Sequence, residues 1–227
     1  HHSSFDAFIH CCKKEDSICF LTWGNKRLSN ISTCIFDVDG TLIDSTDLWR
    51  DAPSSYLDSI GLKSSLDLNE IYKESGYMGV CYSLEREFPE LGGHRRINEE
   101  ISRHLIPNYS SGEIREIEGA TEFLEHLKAD GIRCVLFSAN YRYLIEPALK
   151  ALNLLRFFPE RFFPSEYDEN KRNLSSYIDL GKKLGVLGEE CVMFEDSLFS
   201  LKNAKAFGMR TTGISKNPAI RKELEPF

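Results

Sequence analysis

The chain has 227 residues, 41% of them apolar, and carries 28 Lys and Arg against 35 Asp and Glu for a net charge of −7. That length suits one packed core with an inserted lobe better than two full domains. The acidic balance argues against a nucleic-acid partner, which selects a basic face, and no stretch has the length of a membrane span or the pattern of a secretory signal, so no membrane partner is expected and the expected address is the cytoplasm.

Residues 1–30 read as an N-terminal extension in which His1 and His2 are the remnant of an expression tag. Within it, Ile18–Trp23 has strand composition and is followed by the turn pair Gly24-Asn25, which predicts a hairpin or an added edge strand. Cys34-Ile35-Phe36 reads as a buried parallel strand that stops at Asp37-Val38-Asp39-Gly40. From 46 to 116 strand-like runs disappear. Helical spacings such as Tyr56, Leu57, Ile60 and Ile101, Leu105, Ile106, broken by Pro53, Gly61, Gly76, Pro89, Gly92-Gly93 and Pro107, predict a small helical lobe. The core is then 31–45 together with 117–227.

Phe123, Leu124 and Leu127 make an amphipathic helix closed by Gly131, and 132–137 is a strand ending in Ser138-Ala139-Asn140. A helix over 141–152 holds Pro147 as a kink or a late start, and Arg161-Phe162-Phe163 makes a short strand. Lys171 opens a helix whose stripe is Leu174, Tyr177, Ile178 and Leu184. Cys191 to Phe194 is a strand ending in Glu195-Asp196-Ser197, Leu198, Leu201 and Ala204 face inward on the next helix, Gly208 ends it, and Arg210 to Ile214 is the last strand. Strands alternating with helices predict an α/β, doubly wound parallel sheet with an inserted helical lobe. The seven cysteines show no paired-ligand spacing; Cys34, Cys134 and Cys191 read as strand packing, and the vicinal Cys11 and Cys12 are not read as redox-active.

In an open α/β sheet the carboxyl ends of the strands face the ligand crevice, so Asp37 and Asp39 share a pocket while Val38 points away. Two carboxylates that close repel unless a cation sits between them, which implies a hard, oxygen-seeking ion such as Mg2+. Phosphoryl transfer needs a nucleophile, a group that protonates the leaving oxygen, and fixed positive charge around the transferred group. Asp37 suits the first and Asp39 the second. Ser138 and backbone N–H groups at Val38, Ala139 and Asn140 would bind phosphate oxygens, with Lys171 as a point cation. Asp196, supported by Glu195, would complete a metal site with Asp37 and the backbone carbonyl of Asp39.

The apolar strand followed by Asp37-Val38-Asp39-Gly40-Thr41-Leu42 and then Asp44-Ser45 resembles the first motif of the haloacid dehalogenase superfamily, and the resemblance runs from Ile31 to about Lys216. It implies a Rossmann-like core, Asp37 as nucleophile, Asp39 as acid/base, Ser138 as the phosphate-binding serine, Lys171 as the motif lysine and Glu195-Asp196 as the acidic metal motif. It also implies that 46–116 is a helical cap, as in the branch of phosphoglycolate phosphatase and beta-phosphoglucomutase. Two positions depart from the pattern: Arg172 stands where a proline usually follows the lysine, and Ser200 where relatives carry glycine or aspartate. The dehalogenating members lack the second aspartate, so Asp39 points to phosphoester chemistry.

The expectation is therefore a Mg2+-dependent phosphatase that acts on a small phosphorylated metabolite, such as a sugar phosphate, phosphoglycolate or a nucleotide, through an aspartyl-phosphate. A phosphomutase using the same aspartates is the alternative, and a non-catalytic binding protein is the alternative of another kind. Tyr77, Arg86, Arg95 and Arg96 of the lobe are available for substrate contact and none is singled out; no oligomeric state is read from the sequence.

Overall fold

The structure, a computed structural model, describes residues 21–23, 26–28, 31–167 and 170–215. The chain divides into two compact units, one made of residues up to Asp44 with those from Arg115 onward, the other Ser45–Ile114. β1 (Leu21–Trp23) and β2 (Lys26–Leu28) pair antiparallel, Trp23 opposite Lys26, as a separate two-stranded sheet. The expected hairpin is thus present and adds no edge to the main sheet, while the residues expected at its turn and at 18–20 lie outside the described set.

β3 (Thr33–Phe36) is buried along its whole length. The chain then enters the helical unit: α1 (Thr46–Ser59), α2 (Leu68–Glu87), α3 (His94–His104) and α4 (Ile106–Ser110). Leu57, Val80, Leu84, Ile97 and Ile101 form its interior, and the Trp49 indole donates to the Tyr109 hydroxyl at 2.6 Å. Ile60 and Ile106 leave the expected stripes for solvent because each sits at a helix end, beyond the reach of the packed turns. α2 is broken at Gly76, whose φ of 69° and ψ of −177° no side-chain-bearing residue adopts without strain.

Back in the first unit follow α5 (Ala120–Ala129), β4 (Arg133–Phe137), α6 (Arg142–Ala151), β5 (Glu160–Phe162), α7 (Leu174–Leu184), β6 (Cys191–Glu195), α8 (Leu198–Ala206) and β7 (Arg210–Gly213). α6 runs through Pro147. α7 begins at Leu174, with Asn173 as its N-cap. Lys171 therefore lies in a turn ahead of the helix instead of opening it, because the Asn170 side chain takes the Arg172 N–H at 2.8 Å and bends the chain there. The inward stripe of α7 is Tyr177, Leu180 and Leu184; Leu174 and Ile178 are each 38% exposed, one at the open first turn and the other a hundred degrees or so around the helix from Tyr177.

All five strands of the main sheet run parallel in the order β5-β4-β3-β6-β7. The chain winds outward from β3 to one side, then returns to build the other side, so the switch point of a doubly wound sheet lies at β3. Register is what matters for the site: Phe36 is level with Leu136 on one side and with Phe194 on the other. Strands buried on both faces need continuous apolar runs, and each face has its own cluster. Ile35, Val135, Phe137 and Met193 pack against Tyr177, Leu180, Leu184 and Ala204 of α7 and α8. On the opposite face the Phe36 ring stacks on Phe194 (4.6 Å, 6°) and meets Phe123 and Phe158 edge-on.

The strand cysteines are packing, as expected: Cys34, Cys134 and Cys191 are buried and free. Burial pushes the Cys134 thiol up to about 12 and the Cys191 thiol up to about 11, far from the thiolate form. Cys11, Cys12 and Cys19 lie outside the described residues. Among the described residues no helix is long and apolar enough to cross a membrane.

Because Phe36 is the fully buried hub of the aromatic cluster, Phe36→Ala is expected to cost about 3–5 kcal/mol. Chemical denaturation checks this, and a loss below about 1 kcal/mol would contradict the packing assigned to that face.

Candidate active site

The end of β3 is held by the backbone before any side chain acts. Asp37 N–H donates to the Phe194 carbonyl at 3.0 Å, extending the ladder with β6 by one residue. The chain then turns tightly: the Val38 carbonyl accepts the N–H groups of Thr41, Leu42 and Ile43 at 3.1, 2.8 and 3.0 Å, and Gly40, at φ 79°, supplies the left-handed residue this turn needs. Val38 itself is wholly buried. At the end of β4 the Ser138 N–H donates to the Phe162 carbonyl at 3.1 Å, so this strand end is tied to its outer neighbour in the same way.

Into this edge reaches Lys171, only 2% exposed. Its ammonium donates to Asp37 Oδ1 at 2.7 Å, to the Phe137 carbonyl at 3.1 Å and to Glu195 Oε2. Three protons meet three acceptors from three strands, so the charge is buried without an unsatisfied donor. Glu195 is fixed from behind: its Oε1 accepts the N–H groups of Asp196 at 3.0 Å and Ser197 at 3.1 Å, at the head of α8. Lys171's own backbone is pinned by Asn203 of α8, whose amide donates to the carbonyls of Lys171 (3.2 Å) and Arg172 (2.9 Å). Arg172 lies over the Phe199 ring at 4.5 Å.

Oxygens of Asp37, Glu195 and Asp196 all lie within 4.8 Å of one another. The carboxylate of Asp39 is engaged separately, by the Asn140 amide at 3.0 Å. Asn140 in turn gives its backbone N–H to Ser138 Oγ (3.1 Å) and accepts the Tyr141 N–H at 2.8 Å. Ala139 is exposed beside the buried Ser138. The structure thus brings together Asp37, Lys171, Glu195 and Asp196, and joins Asp39 to the Ser138-Ala139-Asn140 turn. Two contributors had not been singled out. Thr41, whose hydroxyl points at Asp37 Oδ2 from 3.4 Å, was visible only as part of the turn, and Asn203 was signalled only by being a poor helix former in mid-helix.

Electrostatically the cluster is short of positive charge. Burial first, and Glu195 next, push the Asp37 carboxyl up to about 7 against the pull of Lys171. Burial, Glu195 and Asp37 likewise raise Asp196 well above the carboxylate range. Burial alone would lower the Lys171 ammonium, but Asp37 and Glu195 more than reverse it, and it stays charged. A donor set of oxygens only, with one ammonium facing three carboxylates, suits a hard divalent cation.

The model of the haloacid dehalogenase-like hydrolase family matches residues 34–214 of this chain. The chain belongs to that family. This haloacid dehalogenase-like hydrolase is 26% identical over 213 residues to the chloroplastic protein SUPPRESSOR OF QUENCHING 1 of Arabidopsis thaliana, a match covering 90% of this chain and 19% of that protein, so the chain spans about a fifth of that relative. It is 26% identical over 179 residues to the phosphorylated carbohydrates phosphatase of Thermotoga maritima, covering 77% of this chain and 81% of that one. Its fold is similar to the crystal structure of CbbY from Rhodobacter sphaeroides in complex with phosphate, with a TM-score of 0.68 and 22% identity over 82% of this chain and 87% of that chain.

The raised Asp37 carboxyl gives a pH signature. Its value climbs from an ordinary 3.8 to about 7 on folding, so without a cation its contribution to stability is complete below about pH 4 and is lost as pH rises through about 7. A divalent ion competes with that proton. Mg2+ is therefore expected to raise the melting temperature more at about pH 8 than at about pH 5.5, and an equal shift at both would contradict binding at these carboxylates.

Proposed function

We propose that this hydrolase is a Mg2+-dependent phosphatase that acts on a small phosphorylated carbohydrate through an aspartyl-phosphate on Asp37. As an enzyme it is a phosphoric monoester hydrolase of the haloacid dehalogenase-like type. The observation that carries the reading is the buried Lys171 ammonium holding Asp37 Oδ1, with the acid Asp39 two residues further on. The phosphatase relative whose length this chain nearly covers supports the carbohydrate class.

With Oδ1 taken by Lys171, Oδ2 of Asp37 is the attacking atom, and the Thr41 hydroxyl beside it steadies its direction. The Asp37 oxygen bonds to phosphorus as the ester P–O bond breaks, and Asp39 gives its proton to the departing alkoxide. In the second half Asp39 takes a proton from water, the water oxygen bonds to phosphorus, and the Asp37–phosphorus bond breaks to release inorganic phosphate. Both aspartates are then restored. Ser138 and the backbone N–H groups of Val38 and Ala139 hold the phosphate oxygens, and Lys171 spreads its charge over Asp37 and the transferred group. Asp37, Asp196 and the Asp39 carbonyl would hold Mg2+, with Glu195 beside them, and the ion would supply further neutralisation of the phosphoryl charge.

Asp37→Asn is expected to remove more than about a thousandfold of the turnover of p-nitrophenyl phosphate while the fold persists by circular dichroism, and EDTA is expected to silence the wild type reversibly. Turnover that survives either treatment would overturn the mechanism. Asp39→Asn should cost roughly a hundredfold or more on alkyl phosphates and far less on p-nitrophenyl phosphate, whose leaving group hardly needs a proton. A hexose 1-phosphate that yields its 6-phosphate isomer before free phosphate would move the assignment to a mutase.

A further inference from the structure

We infer that Asn140 is a positioning residue for the acid/base Asp39, and not a phosphate ligand. The inference rests on the phosphatase reading above. Asn140 lies in the turn after β4, 101 residues from Asp39 in sequence, and its amide nitrogen donates to Asp39 Oδ2 at 3.0 Å. The orientation of that amide is decided by its other end. Oδ1 accepts the Tyr141 N–H at 2.8 Å, and a backbone donor there requires the oxygen, so the NH2 group is the end that meets the carboxylate. The backbone N–H of Asn140 is taken by Ser138 Oγ at 3.1 Å. The residue's backbone N–H, its amide oxygen and one of its amide protons are thus taken by protein groups.

Asp39 lies in the tight turn at the end of β3, and a carboxylate there turns about its side-chain bonds unless something holds it. Proton transfer demands a group held within hydrogen-bond reach of the leaving oxygen, and misplacement of an ångström costs far more than the lost hydrogen bond itself. The Asn140 contact therefore holds one oxygen of the Asp39 carboxyl group and restricts its rotation. It also connects the two halves of the chemistry: the hydroxyl of Ser138, placed on the phosphate, accepts from the same residue whose amide aims the acid. Binding and proton donation are then set by one rigid turn at the end of β4, itself anchored by the Ser138 N–H to the Phe162 carbonyl at 3.1 Å.

The test compares kcat/KM for glycerol phosphate with kcat/KM for p-nitrophenyl phosphate in wild type, Asn140→Ala, the near-isosteric Asn140→Leu, and each combined with Asp39→Asn. The ratio of the two constants does not depend on how much of a variant folds. Both Asn140 variants are expected to lose roughly tenfold to a hundredfold more on the alkyl than on the aryl ester, chiefly in kcat, and to add nothing to that ratio once Asp39 is Asn. Equal losses on the two esters with a raised KM would overturn the inference and return Asn140 to the phosphate. An unchanged ratio in the single variants would overturn it as well. If Asp37→Asn retained wild-type turnover, the phosphatase reading beneath would fall too, which separates the two failures.

Discussion

A single ammonium group organises this molecule's chemistry. Lys171 is drawn out of water and surrounded by an acceptor from each of three neighbouring strands, β3, β4 and β6, through Asp37, the Phe137 carbonyl and Glu195. A buried charge of this kind is tolerated only when it is fully paired, and removing one partner strands the others. The pairing also has a direction. By occupying one oxygen of Asp37 it leaves the other for the proposed attack, and by binding Glu195 it holds that carboxylate in place next to Asp196. The cost of burying the charge is thereby turned into orientation of the group that the proposed reaction needs most.

That arrangement depends on a sheet whose strands stop together. β3 lies at the centre, β4 and β6 flank it in register, and the apolar runs of β3 and β6 give way to polar residues at one level, Asp37 and Glu195, with that of β4 following one residue later at Ser138. The aromatic cluster on one face and the aliphatic and aromatic cluster on the other leave no freedom for the strands to shift. The turn Val38–Ile43 and the head of α8 then supply the N–H groups that point side chains and backbone toward the same edge.

Much of this was legible in the sequence for a physical reason. Buried parallel strands are continuous apolar runs, and a run that ends in Asp37-Val38-Asp39, in Ser138 or in Glu195-Asp196 announces both the strand and what it presents. The family match over 34–214 agrees with the fold class read from that alternation. Less legible were contacts between distant segments. Lys171 looks like one charge in a charged stretch, and nothing local tells that its side chain turns inward to meet Asp37, 134 residues away. The start of α7 was misplaced because the cue at Asn170 is a side chain capping a backbone N–H, which hydrophobic periodicity does not see. The contact of the Asn140 side chain with Asp39 runs across the strand ends and could not be inferred from spacing. Asn203 and Thr41 carry no periodic signal at all.

The shared level of Phe36, Leu136 and Phe194 has a consequence for how the chain matures. A slip of one residue between β3 and either neighbour would shift a strand end by about 3.3 Å and turn every side chain on it to the other side of the sheet. Asp37, Glu195 and the turn at Ser138 would then no longer converge, and Lys171 would have nowhere to deposit its charge. Under the proposed mechanism misassembled copies would be inert, and the appearance of activity during refolding would report the arrival of correct strand alignment.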